Sequence, residues 1–266
     1  MTPEDHAAAA AALLNAEKTR EQIGLLSIKH PDIGLDDAYA IQNAIYDQKL
    51  AEGRKVIGWK IGLTSKAMQY ALNIDIPDSG ILFDDMLFEN KGTVPAGRFI
   101  QPRIEVEIAF VMKSSLGGDS VNREDVLAAT DYVAPSIEIL DTRILRQDPE
   151  TGKTRLVYDT ISDNAANAGI VLGDEKHDPN QVDLRWVGAI CSKNGEVEET
   201  GLGAGVLNDP VESVVWLARR MATYGQQIEA GHVILSGSFI RPIECPAGTN
   251  LFADFGPFGS VTLGFA

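Results

Sequence analysis

At about residue 55 of this 266-residue chain the hydrophobic pattern changes period. Before that point it is helical. Thr2-Pro3-Glu4-Asp5 is a start signal, with Thr as N-cap, Pro at the first helical position and acids in the first turn. In "LDDAYAIQNAIYDQKLAEG", Ala38, Ile41 and Ile45 keep helical spacing and Gly53 ends the run. After Lys55 come "KVIGWKIGL", "RIEVEIAFVM", "DYVAPSIEIL", "GIVLG", "LRWVGAICSKNGEVEETG", "HVILSGSF" and "GSVTLGF", strand-like runs broken by Gly, Pro, Asn and Asp. Asn194-Gly195 is a hairpin signal. Two helices interrupt the strands. One begins at Asn122; the other, "NDPVESVVWLARRMATYG", is capped by Asp209, opens with Pro210, and lines one face with Val211, Val214, Val215, Ala218 and Met221. Strands in runs, with only occasional helices, indicate α+β rather than alternating βαβ. The expected organisation is a helical N-terminal subdomain over residues 1–54 and a strand-rich domain over 55–266.

The chain carries 38 acids against 23 bases, a net charge of −15. With no basic stripe, partners such as nucleic acid or an anionic membrane are disfavoured. A small anionic substrate remains open, because charges beyond ~8 Å are screened and local cations decide. No apolar run approaches the ~18 residues of a membrane span. Acids rather than a basic segment precede the first apolar run, so no signal peptide is read. Cys191 and Cys245 lack metal-type spacing, and two reduced thiols in a cytoplasm are expected. His6, His30, His177 and His232 fall at a helix start, in turns and at a strand start, which disfavours a histidine triad. Nucleophile-elbow, P-loop and zinc-protease motifs are absent from the sequence.

Within "RIEVEIAF", Ile104, Val106, Ile108 and Phe110 share one parity and Arg103, Glu105 and Glu107 the other. The two glutamates therefore stand on one face, roughly 6.6 Å apart along the strand. Their repulsion is only ~0.6 kcal/mol in water but ~2.5 kcal/mol at an effective dielectric of 20. A solvated face would tolerate the pair; a cleft would demand a cation. Glu138 interrupts the apolar run "VAPSIEILDTR", where a buried charge needs water, a base such as Arg143, or a metal. Should Glu105, Glu107 and Glu138 converge, the result is an all-oxygen site without His or Cys, suited to Mg²⁺ or Mn²⁺.

Three further segments carry polar groups. Lys60 in "GWKIGLTS" is either solvated or aimed into a cleft, where it could hold a carboxylate or move a proton; Gly58 and Gly62 beside it mark a bulge or a close approach. "DTISDNAANAG" is a capped turn or a polar wall that orients a substrate, with Ser162 and Asn164 as candidates. In "SGSFIRP", Ser238 offers a hydrogen bond and Arg241 a bidentate grip on a carboxylate.

Together "GWKIGLTSKAMQ", "PRIEVEIAFV", "EILDTR", "DTISDNAANAG", "EETGLGAGVLNDP" and "SGSFIRP" resemble the 2-oxopent-4-enoate hydratase and 4-oxalocrotonate decarboxylase family of the fumarylacetoacetase-like superfamily. The likeness runs from end to end, and the insertion "DPETGKTR" points to members acting on a seven-carbon dioate. Trp59 departs from the His that some members carry. The resemblance implies a mixed β-roll with a small helical N-terminal subdomain, in a cytoplasmic homo-oligomer that could associate with a pathway aldolase or decarboxylase. It implies a Mg²⁺ or Mn²⁺ ion on Glu105, Glu107 and Glu138, with Lys60 and Asp78 (the Asp of "PDSG") as catalytic residues. The implied reaction protonates a dienol at C5 and adds water at C4 of a 2-oxo dicarboxylate; the second anion of a seven-carbon dioate needs a partner, and Arg241 is the candidate.

Three rivals remain at this level. The acids alone do not separate hydration from a 4-oxalocrotonate-type decarboxylation. An acylpyruvate hydrolase lacks its usual His-Glu arrangement here. A non-catalytic partner subunit would be expected to have lost part of the polar constellation, which is complete.

Overall fold

The computed structural model describes residues 1–66, 69–70 and 76–266, so two positions of the "KIGLTSKAMQ" motif, 67 and 68, lie outside it. Helix α1 (Pro3–Thr19) starts where Thr2 accepts the Asp5 N–H and Asp5 accepts the Thr2 N–H. Helix α2 (Leu26–Lys29) is short, and α3 (Leu35–Ala51) packs against α1: Ala9, Ala10, Leu13 and Leu14 meet Ile41 and Ile45 in a small core. Ile144, from the segment that follows the strand Thr130–Leu140, is buried in that same core. The helical segment is thus fastened to the rest by shared apolar burial.

Strands β1 (Val56–Gly62), β2 (Asp78–Phe83), β3 (Leu87–Phe88) and β4 (Gly92–Val94) precede the two longest, β5 (Arg103–Met112) and β6 (Thr130–Leu140). Helix α4 (Arg123–Ala129) joins these, capped by Asn122 as its sequence indicates. Helix α5 (Val157–Ser162) leads into β7 (Asn167–Leu172). Strands β8 (Gly188–Lys193) and β9 (Glu196–Leu202) form the hairpin expected at Asn194-Gly195, both at positive φ. Helix α6 (Pro210–Ala222) is capped by Asp209, and β10 (Val233–Leu235), β11 (Ile243–Glu244), β12 (Asn250–Asp254) and β13 (Ser260–Phe265) complete the chain.

One sheet runs β2-β1-β10-β5-β6-β7-β3, with β11 also on β5; the other runs β4-β13-β12-β8-β9. Pairing is mixed: β1 with β10 and β4 with β13 are parallel, and β5 with β6 is antiparallel. The main core gathers Val106, Ile108 and Ile137 of the first sheet, Leu251 and Val261 of the second, and Val214 and Ala218 of α6. Strand alternation then forces Glu105, Glu107 and Glu138 onto the opposite face of the first sheet. No helix among the described residues is long and apolar enough to cross a membrane. Cys191 and Cys245 are free and buried.

Candidate metal centre and active site

The antiparallel register of β5 and β6 sets Glu105 opposite Glu138 and Glu107 opposite Ser136. One carboxylate oxygen from each of Glu105, Glu107 and Glu138 lies within 4.8 Å of the others. Glu107 and Glu138 are wholly buried and Glu105 is half-buried. The solvated-face reading therefore fails, and the reason is that the sheet curls its acidic face into a cleft. Nor does Arg143 serve Glu138: its guanidinium binds Asp163 at 2.5 Å, while Lys60 Nζ stands 3.5 Å from Glu138 Oε1.

Strands β1 and β2 bring the remaining groups. Their register pairs Lys60 with Gly80 and Gly62 with Asp78, and both polar side chains are buried. Gly62 makes that approach possible: a Cβ there would lie 2.3 Å from Asp78 Oδ1 and 2.9 Å from Lys60 Nζ. Gly58 sits at the bulge of β1, against the Val233 carbonyl. Both sequence alternatives for these glycines are realised, one at each position.

Electrostatics follow from the crowding. Burial, then the Glu138 charge, pushes Glu105 up to about 8, with Lys60 opposing. Burial raises Glu107 well above the ordinary carboxylate range, and Glu138 and Asp78 also rise. Burial alone would lower Lys60, but Glu138, Asp78, Glu105 and Glu107 outweigh it and hold the ammonium charged. One Glu107 oxygen accepts the Gly237 N–H at 2.6 Å; its other oxygen and both Glu138 oxygens accept no hydrogen bond. Buried acceptors without donors, carried by three hard oxygen ligands, fit a divalent cation such as Mg²⁺ or Mn²⁺.

The chain is 50% identical over 260 residues to 2-oxo-hept-4-ene-1,7-dioate hydratase of Escherichia coli, covering 98% of this chain and 97% of that protein. It belongs to the 2-oxo-enoate hydratase and 4-oxalocrotonate decarboxylase family. A 2-hydroxyhexa-2,4-dienoate hydratase of Comamonas testosteroni is 41% identical over 89% of this chain and 88% of its own length. Among solved structures, 4-oxalocrotonate decarboxylase from Pseudomonas putida G7, complexed with magnesium and adipate, superposes with a TM-score of 0.93 at 35% identity, covering 100% of this chain and 99% of that one. No protein-family model matches. The mixed β-roll with a helical N-terminal part is thus the fold of this family.

The other sequence candidates sit around the acidic centre in different ways. Asn164 faces the protein itself: its amide accepts the Ile81 N–H at 2.8 Å and donates to the Ile81 carbonyl at 2.9 Å. It lies in a left-handed run, Asn164 to Ala166, with φ of 51–59°. Such a turn costs of order 1–3 kcal/mol per residue and persists only when clamped. The clamp is buried Arg143, which binds Asp163 and donates to the Asp141 and Asn167 carbonyls. Ser162 Oγ is buried without a hydrogen-bond partner. Ser238 Oγ is engaged in its own turn, with the backbone of Ile240. Arg241 stands on the rim of a cleft of about 350 Å³ that also touches Glu105, Thr64 and Ser238. Its side chain is 81% exposed and pairs with Glu199 at 2.7 Å.

Sequence reasoning missed Gly237, Thr64 and Leu63. Gly237, at φ 114°, packs so tightly on Thr64 that a Cβ would lie 2.3 Å from its Oγ1. Leu63 carries a left-handed φ of 57° beside the cleft. Only the glycine had a signal, as the second member of "SGS" after an apolar strand.

Proposed function

We propose that this chain is a divalent-metal-dependent hydro-lyase that converts 2-oxo-hept-4-ene-1,7-dioate, or its dienol 2-hydroxyhepta-2,4-dienedioate, to 4-hydroxy-2-oxoheptanedioate in aromatic catabolism. The observation that carries the reading is the convergence of Glu105, Glu107 and Glu138 beside Lys60 and Asp78. It is supported by 50% identity to a hydratase named for that substrate, and by a solved relative that holds magnesium with a six-carbon dicarboxylate.

Glu105, Glu107 and Glu138 would hold Mg²⁺ or Mn²⁺. Bound there, the cation supplies electrostatic stabilisation of negative charge developing at the 2-oxo group. Lys60, kept charged by its acidic neighbours, delivers a proton to C5 and takes up the proton that the dienol hydroxyl gives up, so the ammonium is restored. Asp78, buried beside it, orients water at C4, takes one of its protons and returns a proton to C3, so the balance is one added H₂O. Ser162, with its free buried hydroxyl, is the further polar contact; Ser238 and Asn164 shape the walls, and Arg241 meets anions at the rim. The protein is soluble and cytoplasmic on this reading. It is also homo-oligomeric, since Trp186, Ile190, Val197, Leu202 and Phe252 leave apolar surface on and beside the second sheet.

A chelator should abolish loss of the dienoate absorbance and Mg²⁺ should restore it, fastest for the seven-carbon dioate. Full turnover in metal-stripped protein would overturn the reading. The second reading, a 4-oxalocrotonate-type decarboxylase, is favoured by the structural superposition; release of CO₂ without hydration would select it.

A further inference from the structure

Strand alternation places Arg103 on the same face of β5 as Glu105 and Glu107, at the first residue of the strand, between Leu140 of β6 and Glu244 of β11. Opposite it β6 ends at Leu140, and the chain then enters a short hairpin. There the Arg155 N–H donates to the Arg146 carbonyl at 3.0 Å, and Gln147 bridges Thr154 in antiparallel register. This hairpin is the "DPETGKTR" insertion with its flanks, and it holds two arginines side by side next to Arg103.

The three guanidinium groups are poorly neutralised. Arg103 meets Glu244 at 2.5 Å, but Arg146 reaches only the Gln101 side-chain oxygen at 3.3 Å and Arg155 only Thr142 Oγ1 at 2.8 Å. Among the described residues no carboxylate lies within ion-pair distance of Arg146 or Arg155. The Nε atoms of Arg103 and Arg146 are buried without an acceptor. Burial, then the charges of Arg103 and Arg155, pulls Arg146 down to about 10. In a chain of 38 acids and 23 bases, two neighbouring guanidinium groups without an ion-pair carboxylate, Arg146 and Arg155, want an anion. Arg155 is also near enough to Asp78 to bear on its ionisation.

We propose that Arg146 and Arg155, next to the Arg103–Glu244 pair, form the subsite for the second carboxylate of a dicarboxylate substrate. Arg241, already neutralised by Glu199, is then a rim residue. This inference rests on the dicarboxylate reading above.

The test compares kcat/KM of the Mg²⁺-loaded full chain for 2-hydroxyhepta-2,4-dienedioate and for the five-carbon monocarboxylate 2-hydroxypenta-2,4-dienoate. In Arg146→Gln and Arg155→Gln the dioate-to-monocarboxylate ratio should fall by about 10- to 100-fold, as expected for a lost charged hydrogen bond; Arg146→Lys should fall less, and Arg241→Ala least. An unchanged ratio in both glutamine variants, or a larger fall in Arg241→Ala, overturns the subsite. Binding is read separately from turnover by thermal shift with heptanedioate against heptanoate. Selective stabilisation by heptanedioate, lost in Arg146→Gln, supports the subsite even if wild type hydrates neither dienoate. Equal shifts in wild type and variant overturn it while leaving hydration standing.

Discussion

The two faces of the β5–β6 pair are nearly equally buried and built on opposite principles. One face presents Ile104, Val106, Ile108, Phe110, Ile137 and Ile139, all without solvent exposure. The other presents Glu105, Glu107, Ser136 and Glu138, of which only Glu105 has partial access. On the first, burial itself stabilises, at about 25 cal/mol per Å² of apolar surface removed from water. On the second, burial opposes folding, and Lys60 offsets only part of the repulsion. One strand pair thus holds a stable core and a destabilised site one residue apart. Substitutions on the two faces should separate activity from stability.

The largest effect is expected on the acidic face. Glu138→Gln removes a ligand charge and the partner of Lys60, and should lower kcat/KM by about 10³-fold through lost charge stabilisation and metal affinity. The same change relieves a crowded buried carboxylate while Asp78, Glu105 and Glu107 still surround Lys60, so the metal-free protein should melt no lower than wild type. Activity assays and melting curves on EDTA-treated protein check both halves. A large loss of stability would mean that Glu138 serves the core.

On the apolar face the sign reverses. Ile108→Ala should cost about 2–5 kcal/mol of stability, because neighbours close only part of the cavity. Activity per folded molecule should stay within a few-fold of wild type. Denaturant titration beside active-site titration with metal separates the two quantities, and a specific-activity loss matching that of Glu138→Gln would erase the contrast.

Gly62→Ala tests the seam between the faces. The new methyl would enter the space between Asp78 and Lys60, so one of them must move. A displacement of about 1 Å is worth about 100-fold in rate, whereas melting should change by only a few degrees. Unchanged kcat would show that the Asp78–Lys60 approach is not used in the reaction.

How far this contrast could be read in advance depends on the range of the interactions. The alternation of "RIEVEIAFVM" is local, and it gave both faces of β5 correctly. What lies over the acidic face is set by partners distant in the sequence: Glu138 through register, Lys60 and Asp78 through the β1–β2 pair. Family resemblance, not periodicity, supplied those pairings. Asn164 shows a different dependence on distant partners. A polar residue in an Asx-rich turn reads as a ligand contact, yet its amide is engaged by the Ile81 backbone because a left-handed turn held by Arg143 aims it there. The arginine cluster was illegible for a similar reason, since its members come from a strand start and two legs of a hairpin.

The smallest effect sharpens the comparison most, because pH acts on one face only. In the metal-free protein Glu105 is held up at about 8, against 4.5 for an ordinary glutamate. The folded state then prefers the protonated acid. Its contribution to stability is complete below pH 4.5 and is lost as pH rises through 8. Glu107, also raised by burial, adds to the loss in the same direction. Lys60 is charged in folded and unfolded chains across this window and contributes no slope. A divalent cation takes the place of the protons, so its affinity should rise over the same interval with proton release. Melting temperature of EDTA-treated protein should therefore fall between pH 5.5 and 9, and the gap to the Mg²⁺-loaded form should widen. Parallel curves would mean that the three carboxylates titrate as though in water, with neither face of the pair asking anything of a metal.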